Sequence, residues 1–328
     1  MSYKISRYAT RNDLDPSIAA FLRLLSLMPP LELFPPKVQR FIFALMAKLG
    51  SPRNRPKINK SNIVIPGTPG LHLETWEPPG LAPERPGILY LHGGGWVIGR
   101  PDCFDSFLSM LAARLSVKVY ALNYRRAPEH IFPAAIEDAM AAWGWLTTQC
   151  HNDRQLHKHG LIVGGDSAGG NLAAVLSLQA RDQKLRLPDA QLLIYPVTST
   201  LNTSKSFQLY GQGFLLTSNM MQQFIKHYTQ SHTLSDSRLS PLNHPSLFGM
   251  PPTFMALVGC DILLDAGLEF AARLRQAGTA VNVAIYPQVM HAFLNYLRFD
   301  AARLAAEDLI TEFGQLLTQV SGQGSDAA

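Results

Sequence analysis

Short apolar segments alternate with longer helical patterns through most of this 328-residue chain, and the alternation strongly constrains its fold. Repeated strand–helix units form a mostly parallel sheet with helices on both faces. We therefore predict an α/β fold, a mostly parallel central sheet flanked by helices, in a single domain, 1–328. The predicted strands are 87–92, 117–123, 160–164, 190–195, 253–258 and 281–286, preceded by two antiparallel strands at 62–66 and 71–76. The predicted helices between and after them are 106–115, 134–148, 171–180, 267–277 and 301–320.

Two segments, 1–55 and 198–245, interrupt this rhythm. The first has apolar residues at helical spacing near 18–25 and again over 38–49, and it is an arm or a lid by its position before the first strand. The second is rich in Ser, Thr and Asn and has one helical pattern near 218–228. Its position between two strand–helix units is where an inserted cap would lie.

The pentapeptide Gly165-Asp166-Ser167-Ala168-Gly169 stands between the apolar run 161–163 and the helical pattern 171–176. It matches the G-x-S-x-G nucleophile elbow, in which a serine occupies a strained turn between a strand and a helix. The N-terminus of the following helix directs free N–H groups and the positive end of its dipole at the same point. The pattern predicts Ser167 as a nucleophile, although the pentapeptide alone also occurs in ordinary turns.

A serine nucleophile needs a histidine base and a carboxylate that orients the base. In a parallel sheet both groups belong on loops at the carboxyl ends of strands. His291 comes five residues after the predicted strand 281–286, and Asp261 follows the predicted strand 253–258. The order Ser167, Asp261, His291 is the one expected of an α/β-hydrolase.

Other titratable residues fit these roles less well. Asp265 lies one helical turn beyond Asp261 and is the competing carboxylate, and Asp166 is expected to point away from the elbow serine. His157 lies in a polar loop with His151 and His159, and all three are predicted to be solvated surface residues.

The segment 92–96 reads His-Gly-Gly-Gly-Trp and directly follows a predicted buried strand. Consecutive glycines let backbone N–H groups approach a ligand oxygen without side-chain obstruction. The predicted oxyanion-hole donors are Gly94 and Gly95, with Gly93 as a further candidate, together with the amide of Ala168. A phosphate-binding loop is excluded because no Gly-Lys-Ser/Thr follows the glycines.

Composition excludes several other classes of function. The net charge is +5, but the one basic cluster, 53–60, lacks interleaved aromatic residues and is predicted to be a solvated loop, not a nucleic-acid contact. Cysteines 103, 150 and 260 fit neither a zinc site nor a disulfide framework, which indicates a reducing compartment and no metal.

No secretory signal is visible at the N-terminus, and the apolar stretch 18–28 contains Arg23 and is too short to cross a bilayer. We therefore expect a cytoplasmic protein without stable membrane insertion.

The assembled motifs resemble the bacterial branch, called family IV, of the hormone-sensitive lipase family of α/β-hydrolases. The matching segments are His-Gly-Gly-Gly-Trp-Val-Ile-Gly at 92–99, Tyr-Arg-Arg-Ala-Pro-Glu-His at 124–130, Gly-Asp-Ser-Ala-Gly-Gly-Asn at 165–171, Asp-Ile-Leu-Leu-Asp-Ala-Gly at 261–267 and His-Ala-Phe at 291–293. The resemblance implies an esterase for short- to medium-chain acyl esters, with Ser167, Asp261 and His291 as its triad. It also implies a helical cap from about 1–55 and about 198–245, and no cofactor.

This chain departs from the family pattern in places, none of which removes a triad member. The segment after the aspartate usually has Pro where Ile262 stands and Glu where Ala266 stands, and Arg126 replaces a leucine. Gln288 and Ala292 each replace a glycine, and Ala292 is expected to tilt the histidine loop.

Three alternatives remain open at this stage. Plant gibberellin receptors resemble the family but lack the catalytic histidine, which this chain retains. Arylformamidases, which hydrolyse an amide, share the oxyanion loop and the elbow. A long-chain lipase would use the apolar N-terminal residues, which core or cap packing explains more simply: Phe21, Leu22, Leu25, Phe41 and Phe43. A homodimer through an edge strand near the C-terminus is also possible.

Overall fold

The computed structural model describes residues 8–201, 203–230 and 234–325. Parts of the predicted cap segments, 1–7, 202 and 231–233, lie outside the described residues. The described β-strands are β1 (Asn59–Val64), β2 (His72–Glu77), β3 (Gly87–Leu91), β4 (Lys118–Leu122), β5 (Leu161–Asp166), β6 (Gln191–Ile194), β7 (Thr253–Val258) and β8 (Val281–Tyr286). The described α-helices are α1 (Pro16–Leu25), α2 (Pro36–Gly50), α3 (Asp105–Leu115), α4 (Ala134–Asn152), α5 (Ala168–Asp182), α6 (Lys205–Leu209), α7 (Ser218–Thr229), α8 (Leu264–Gln276) and α9 (Asp300–Ser325).

These strands form one sheet in the order β1-β2-β4-β3-β5-β6-β7-β8. The pairs β1–β2 and β2–β4 are antiparallel, and all the other pairs are parallel. The prediction of a mostly parallel sheet flanked by helices is confirmed. β8 forms one edge of this sheet, as expected for the last strand of the chain.

The register of the sheet brings the ends of its strands together. Leu91 at the end of β3 pairs with Gly165, and Val258 at the end of β7 pairs with Tyr286 at the end of β8. Every residue of β3, β5 and β7 is buried, which explains why their sequences are mostly apolar. The segments that leave these strands therefore all start at the carboxyl ends of the strands, on the same side of the sheet.

The elbow is tighter than its sequence predicts. β5 continues to Asp166 and α5 begins at Ala168, whereas the predicted strand ends at 164 and the predicted helix begins at 171. The glycines that normally weaken a helix are needed here, because a Cβ on Gly169 would collide with the carbonyl oxygen of Leu91 in β3.

Two further details differ from the prediction. The short helix α6 was not expected, and it begins where the hydroxyl of Ser204 accepts a hydrogen bond from the amide of Phe207. His157, predicted to be solvated, is buried: its Nε2 lies 2.8 Å from the hydroxyl of Tyr120, and burial lowers the pKa of its imidazole. A polar loop sequence gives no sign that one of its side chains folds back onto the sheet.

The N-terminal segment packs against the segment that contains α7. The amide nitrogen of Gln39 in α2 donates to the side-chain oxygen of Gln223 in α7 over 3.0 Å, and Gln39 is fully buried. Gln223 in turn donates to the backbone oxygen of Glu32. Among the described residues, no helix combines the length and the apolar character that crossing a membrane requires.

Candidate active site

Ser167 lies at the point where β5 gives way to α5. Its backbone has φ 53° and ψ −118°, a strained combination for a residue with a side chain. Its N–H donates to the carbonyl of Ile194 in the neighbouring strand, and its own carbonyl accepts from Val197 and Asn171. These hydrogen bonds hold the strained turn, so the hydroxyl keeps a fixed position at the carboxyl end of β5.

The structure brings the three predicted triad residues into one hydrogen-bonded series. Nδ1 of His291 lies 2.6 Å from Oδ2 of Asp261, and Nε2 of His291 lies 3.0 Å from Oγ of Ser167. A carboxylate can only accept, so Nδ1 carries the proton and Nε2 accepts from the serine hydroxyl. All three residues are buried. This arrangement lets the imidazole take up the serine proton while Asp261 holds its orientation.

The two candidate carboxylates have different partners. Oδ1 of Asp261 accepts from the amide of Leu263 over 3.0 Å, which leaves Oδ2 for His291. Asp265 instead accepts from the amide of Ser206 over 2.7 Å and from the hydroxyl of Tyr8 over 3.1 Å. Asp265 therefore ties other segments to the start of α8, and it is Asp261 that contacts the histidine.

The glycine loop after β3 has a backbone that only glycine adopts easily. Gly94 has φ 116°, and its carbonyl accepts from the amides of Val97 and Ile98 over 3.0 and 2.8 Å. The loop is thereby folded back on itself. Among the described residues, no hydrogen bond uses the N–H of Gly94 or Gly95, and the N–H of Ala168 is in the first turn of α5, where no intrahelical partner exists.

Gly93 differs from the prediction. Its N–H donates to Oδ1 of Asp166 over 2.8 Å, so it is not free to bind a substrate oxygen. The hydroxyl of Tyr90 donates to the same carboxylate oxygen over 2.9 Å. Asp166 thus fastens the start of the glycine loop. Burial raises the pKa of Asp166 to about 7, although both hydrogen bonds act in the opposite direction.

The side chain of His92 also stabilises the glycine loop. Its ring stacks on Tyr124 with centroids 4.2 Å apart, and the Tyr124 hydroxyl donates to the His92 carbonyl over 2.7 Å. Complete burial lowers the pKa of His92 to about 3, so the imidazole stays neutral and its Nδ1–H donates to the Gly93 carbonyl. His92 is a structural part of the loop, although it belongs to the motif that carries the glycines.

Arg40 in α2 contacts the glycine loop, and no motif in the sequence indicates this contact. Its guanidinium donates to the carbonyls of Val97 and Ala127, each over 2.8 Å, and pairs with Glu129. Arg40 therefore ties the N-terminal segment to the loop that holds Gly94 and Gly95. Glu129 lies in the recognisable segment 124–130, but Arg40 belongs to no motif, so the sequence does not indicate that the two residues pair.

The loops that carry Asp261 and His291 share one further support, the segment from Tyr8 to Asp15. The amide of Asp15 donates to the carbonyl of Gln288 over 2.9 Å, and the thiol of Cys260 lies 3.5 Å from the carbonyl of Thr10. This one segment thus contacts both loops. The substitution of glycine by Gln288 has no direct consequence here, because the contact uses its backbone.

Ala292 follows the histidine in a left-handed conformation, with φ 58° and ψ 24°. A glycine takes this conformation without strain, whereas an alanine does not. His291 nevertheless keeps hydrogen-bond distance to both partners. The expected tilt of the loop does not separate the triad.

A cavity of about 350 Å³ opens beside Ser167 and His291, with Gly94 and Gly95 in its wall. The rest of the wall is mostly apolar and comes from both segments outside the strand–helix rhythm. Leu25, Met28, Leu31, Ile42, Phe43 and Met46 belong to the first segment, and Phe214, Leu216, Met220, Met221 and Phe224 belong to the second. Among the described lining residues, the acidic side chains are Glu32 and Asp166, and none is Lys or Arg.

Known proteins resemble this chain in fold and in sequence. The matching family profile is that of the alpha/beta hydrolase fold, over residues 88–295. Carboxylic ester hydrolase LipN of Mycobacterium tuberculosis is 36% identical over 272 residues, which are 80% of this chain and 72% of that protein. Ethyl acetate hydrolase of Pseudomonas putida is 34% identical over 293 residues, which are 86% of this chain and 92% of that protein.

Solved structures agree with these relatives. An ester-hydrolase from the metagenome of Lake Arreo, complexed with a bipyridine phosphonate derivative, matches with a TM-score of 0.83 at 33% identity, over 92% of this chain and 99% of that chain. A thermostable esterase from Pseudomonas putida matches with a TM-score of 0.84 at 26% identity, over 96% and 99%. The chain therefore belongs to the α/β-hydrolase family, and its resemblance to the hormone-sensitive lipase branch is confirmed. By class it is a carboxylesterase.

Proposed function

We propose that the protein hydrolyses short- to medium-chain carboxylic esters through a Ser167–His291–Asp261 triad and an acyl-enzyme intermediate. The observation that carries this proposal is the hydrogen-bonded series of these residues at the wall of an apolar cavity. A buried serine hydroxyl that donates to an oriented imidazole is an activated nucleophile.

In the first half-reaction, Ser167 Oγ attacks the ester carbonyl while Nε2 of His291 takes the hydroxyl proton. The amides of Gly94, Gly95 and Ala168 donate to the oxygen that becomes negative, and the N-terminus of α5 favours the same charge. Gly93 has no part in this step because Asp166 holds its amide. His291 then gives its proton to the leaving alcohol, and the acyl group stays on Ser167.

In the second half-reaction, water attacks the acyl-enzyme and gives a proton to His291. The tetrahedral intermediate collapses with release of the carboxylic acid, and the proton returns to Ser167 Oγ. Asp261 holds the imidazole in one tautomer throughout and stabilises its positive form. No cofactor or metal enters either step.

The substrate class follows from the cavity. Apolar side chains line most of its wall, so an uncharged acyl chain is buried favourably there. Glu32 disfavours anionic substrates, because the described lining residues include no Lys or Arg to attract them. The volume of about 350 Å³ suits chains of a few carbons up to about eight better than the chains of long-chain fats.

We assign the segments of about 1–55 and about 198–245 to a helical cap on a single domain of residues 1–328. This assignment rests on the cavity wall, which both segments supply. We also propose a cytoplasmic location, since the three buried cysteines are free thiols, and a homodimer would pair through the edge strand β8.

The test is an acyl-chain profile with p-nitrophenyl esters of two, four, eight and sixteen carbons, together with an aryl formamide. We expect the highest kcat/KM at four to eight carbons, and a loss of at least about 10⁴-fold in Ser167→Ala. The matched control is Ser177→Ala, since Ser177 is also buried but lies further along α5, where it donates to the Ala173 carbonyl. Faster turnover of the formamide than of the esters would assign the function to an amide hydrolase. Faster turnover of the sixteen-carbon ester than of the shorter esters would assign it to a lipase.

A further inference from the structure

The outer side of helix α2 exposes a row of large apolar side chains. Val38, Phe41, Leu45 and Leu49 follow one another at intervals of three and four residues, so they lie on one side of the helix, and all four are exposed. Phe41 is the most exposed of the four, at 69%, so packing in the core does not account for its apolar side chain. Packing against the core accounts only for the opposite, inner side of α2.

The segment before α2 also exposes large apolar side chains, and one of them lies in the cavity wall. Leu24, Leu27 and Leu33 are exposed, and Met28 is both exposed and part of the cavity wall. We call the exposed set the outer N-terminal face; it comprises Leu24, Leu27, Leu33, Val38, Phe41, Leu45 and Leu49. Exposed apolar surface of this extent at the edge of a binding cavity marks an interaction site.

The charges around this face are strongly one-sided. Between residues 16 and 57 the chain has seven Lys or Arg residues and one acidic residue, Glu32. Arg40 and Arg55 pair with carboxylates of other segments. Arg23, Lys37 and Lys48 are exposed, and within the described residues no ion pair holds them. Lys37 and Lys48 belong to α2 itself and flank its apolar row.

We propose that the outer N-terminal face binds the surface of anionic lipid aggregates, with its apolar side chains at the acyl boundary and its basic residues among the headgroups. An exposed apolar row beside Lys and Arg is the pattern of helices that lie in a lipid–water interface. A second copy of the chain fits less well, because a two-fold interface would bring Arg23, Lys37 and Lys48 of both copies together. If the proposed ester hydrolysis is correct, a lipid-dissolved ester would reach the cavity past Met28.

The test is co-sedimentation of the full chain with vesicles of phosphatidylcholine and phosphatidylglycerol in equal parts, and with vesicles of phosphatidylcholine alone. We expect binding to the mixed vesicles, weakened at least about fivefold on the neutral ones and in high salt. The double variant Phe41→Ser/Leu45→Ser should bind at least about tenfold more weakly. The matched control is Phe248→Ser. Phe248 is 75% exposed, but it precedes β7 and so comes before the amino end of that strand, whereas Ser167 follows the carboxyl end of β5.

Binding is measured without turnover, so its failure is distinct from failure of the proposed hydrolysis. Hydrolysis of a soluble four-carbon ester at the wild-type rate shows that both variants are folded. No vesicle binding by the wild type, equal binding by the double variant, or an equal loss in Phe248→Ser would overturn the proposal. A dimer in size-exclusion chromatography with light scattering that the double variant loses would also overturn it and assign the face to a second copy.

Discussion

The loops at the carboxyl ends of the strands and the helices around the cavity are held in different ways. The triad loops leave strands whose positions the sheet register fixes, and backbone hydrogen bonds hold Ser167 itself. The N-terminal helices and α7 lie outside the sheet, and they are held by apolar packing and by side-chain contacts such as Gln39 with Gln223 and Arg40 with the glycine loop. The chemistry should therefore be sensitive to single atoms, and the cavity should tolerate exchange of apolar side chains.

The largest expected effect separates the two carboxylates that follow β7. Asp261→Asn should lower kcat by about 10⁴-fold, because an amide in place of the carboxylate no longer holds the imidazole in the required tautomer. Asp265→Asn is the matched control and should keep kcat within about threefold, since Asp265 contacts Tyr8 and Ser206 and not His291. Equal losses in steady-state kinetics would contradict the assignment of Asp261.

The next prediction concerns the point where the two regions meet. Gly95 has φ 58°, and a Cβ there would run into the ring of Phe224 in α7. Gly95→Ala should therefore displace the glycine loop and lower kcat by about 10²- to 10³-fold with little change in KM, if its amides stabilise the oxyanion as proposed. Gly67→Ala is the control: Gly67 also has a positive φ, 78°, but its Cβ would meet open space. A similar loss in Gly67→Ala would show that backbone strain alone is responsible.

The buried carboxyl of Asp166 makes the stability of the site region depend on pH. Its folded-state pKa of about 7 lies above the ordinary value of 3.8, so the neutral form contributes stability that is complete below pH 4 and is lost as the pH rises toward 7. Between pH 5 and pH 7 the free energy of unfolding should fall by about 2 kcal/mol more in the wild type than in Asp166→Asn. Urea unfolding of both proteins at the two pH values measures this difference, and parallel curves would contradict it.

The smallest effect tests the tolerance of the cavity. Met220→Trp places a larger apolar side chain in the wall formed by the second segment. We expect kcat/KM for the eight-carbon ester to fall about tenfold while the two-carbon ester changes by less than about threefold, because only the longer chain needs that space. Equal losses for both esters would show that the cavity wall and the triad loops are coupled.

The sequence predicted the strand-end residues well because strands and turns carry local signals. Buried strands have continuous apolar sequences, and the elbow and the glycine loop need glycine at fixed positions, so Ser167, Asp261 and His291 could be placed by strand ends and chain order. Gly93 is the exception among the predicted oxyanion-hole donors, because its amide donates to Asp166. A backbone N–H has no side-chain signature, so no sequence pattern shows whether it is free.

The contacts of the N-terminal helices and α7 could not be predicted in the same way. Arg40 reaches the glycine loop from a helix more than fifty residues earlier, and Phe41 beside it faces solvent although it is apolar. Helical periodicity identifies apolar sides but not what each side meets, so α2 could not be divided into a cavity side and an outer side. The same limit applies to the cavity and to the proposed acyl preference, because the cavity wall is formed by segments that are far apart in the sequence.

The central claim, that Ser167 carries the acyl group, is tested most directly by identifying the residue that a p-nitrophenyl alkylphosphonate labels. Attack by Ser167 Oγ would form a bond to phosphorus and release p-nitrophenolate, which leaves a stable adduct. Peptide mass spectrometry should find one phosphonyl group per chain on Ser167, with parallel loss of ester hydrolysis and no label in Ser167→Ala. A label on another residue, or full hydrolysis by protein labelled at Ser167, would contradict the account.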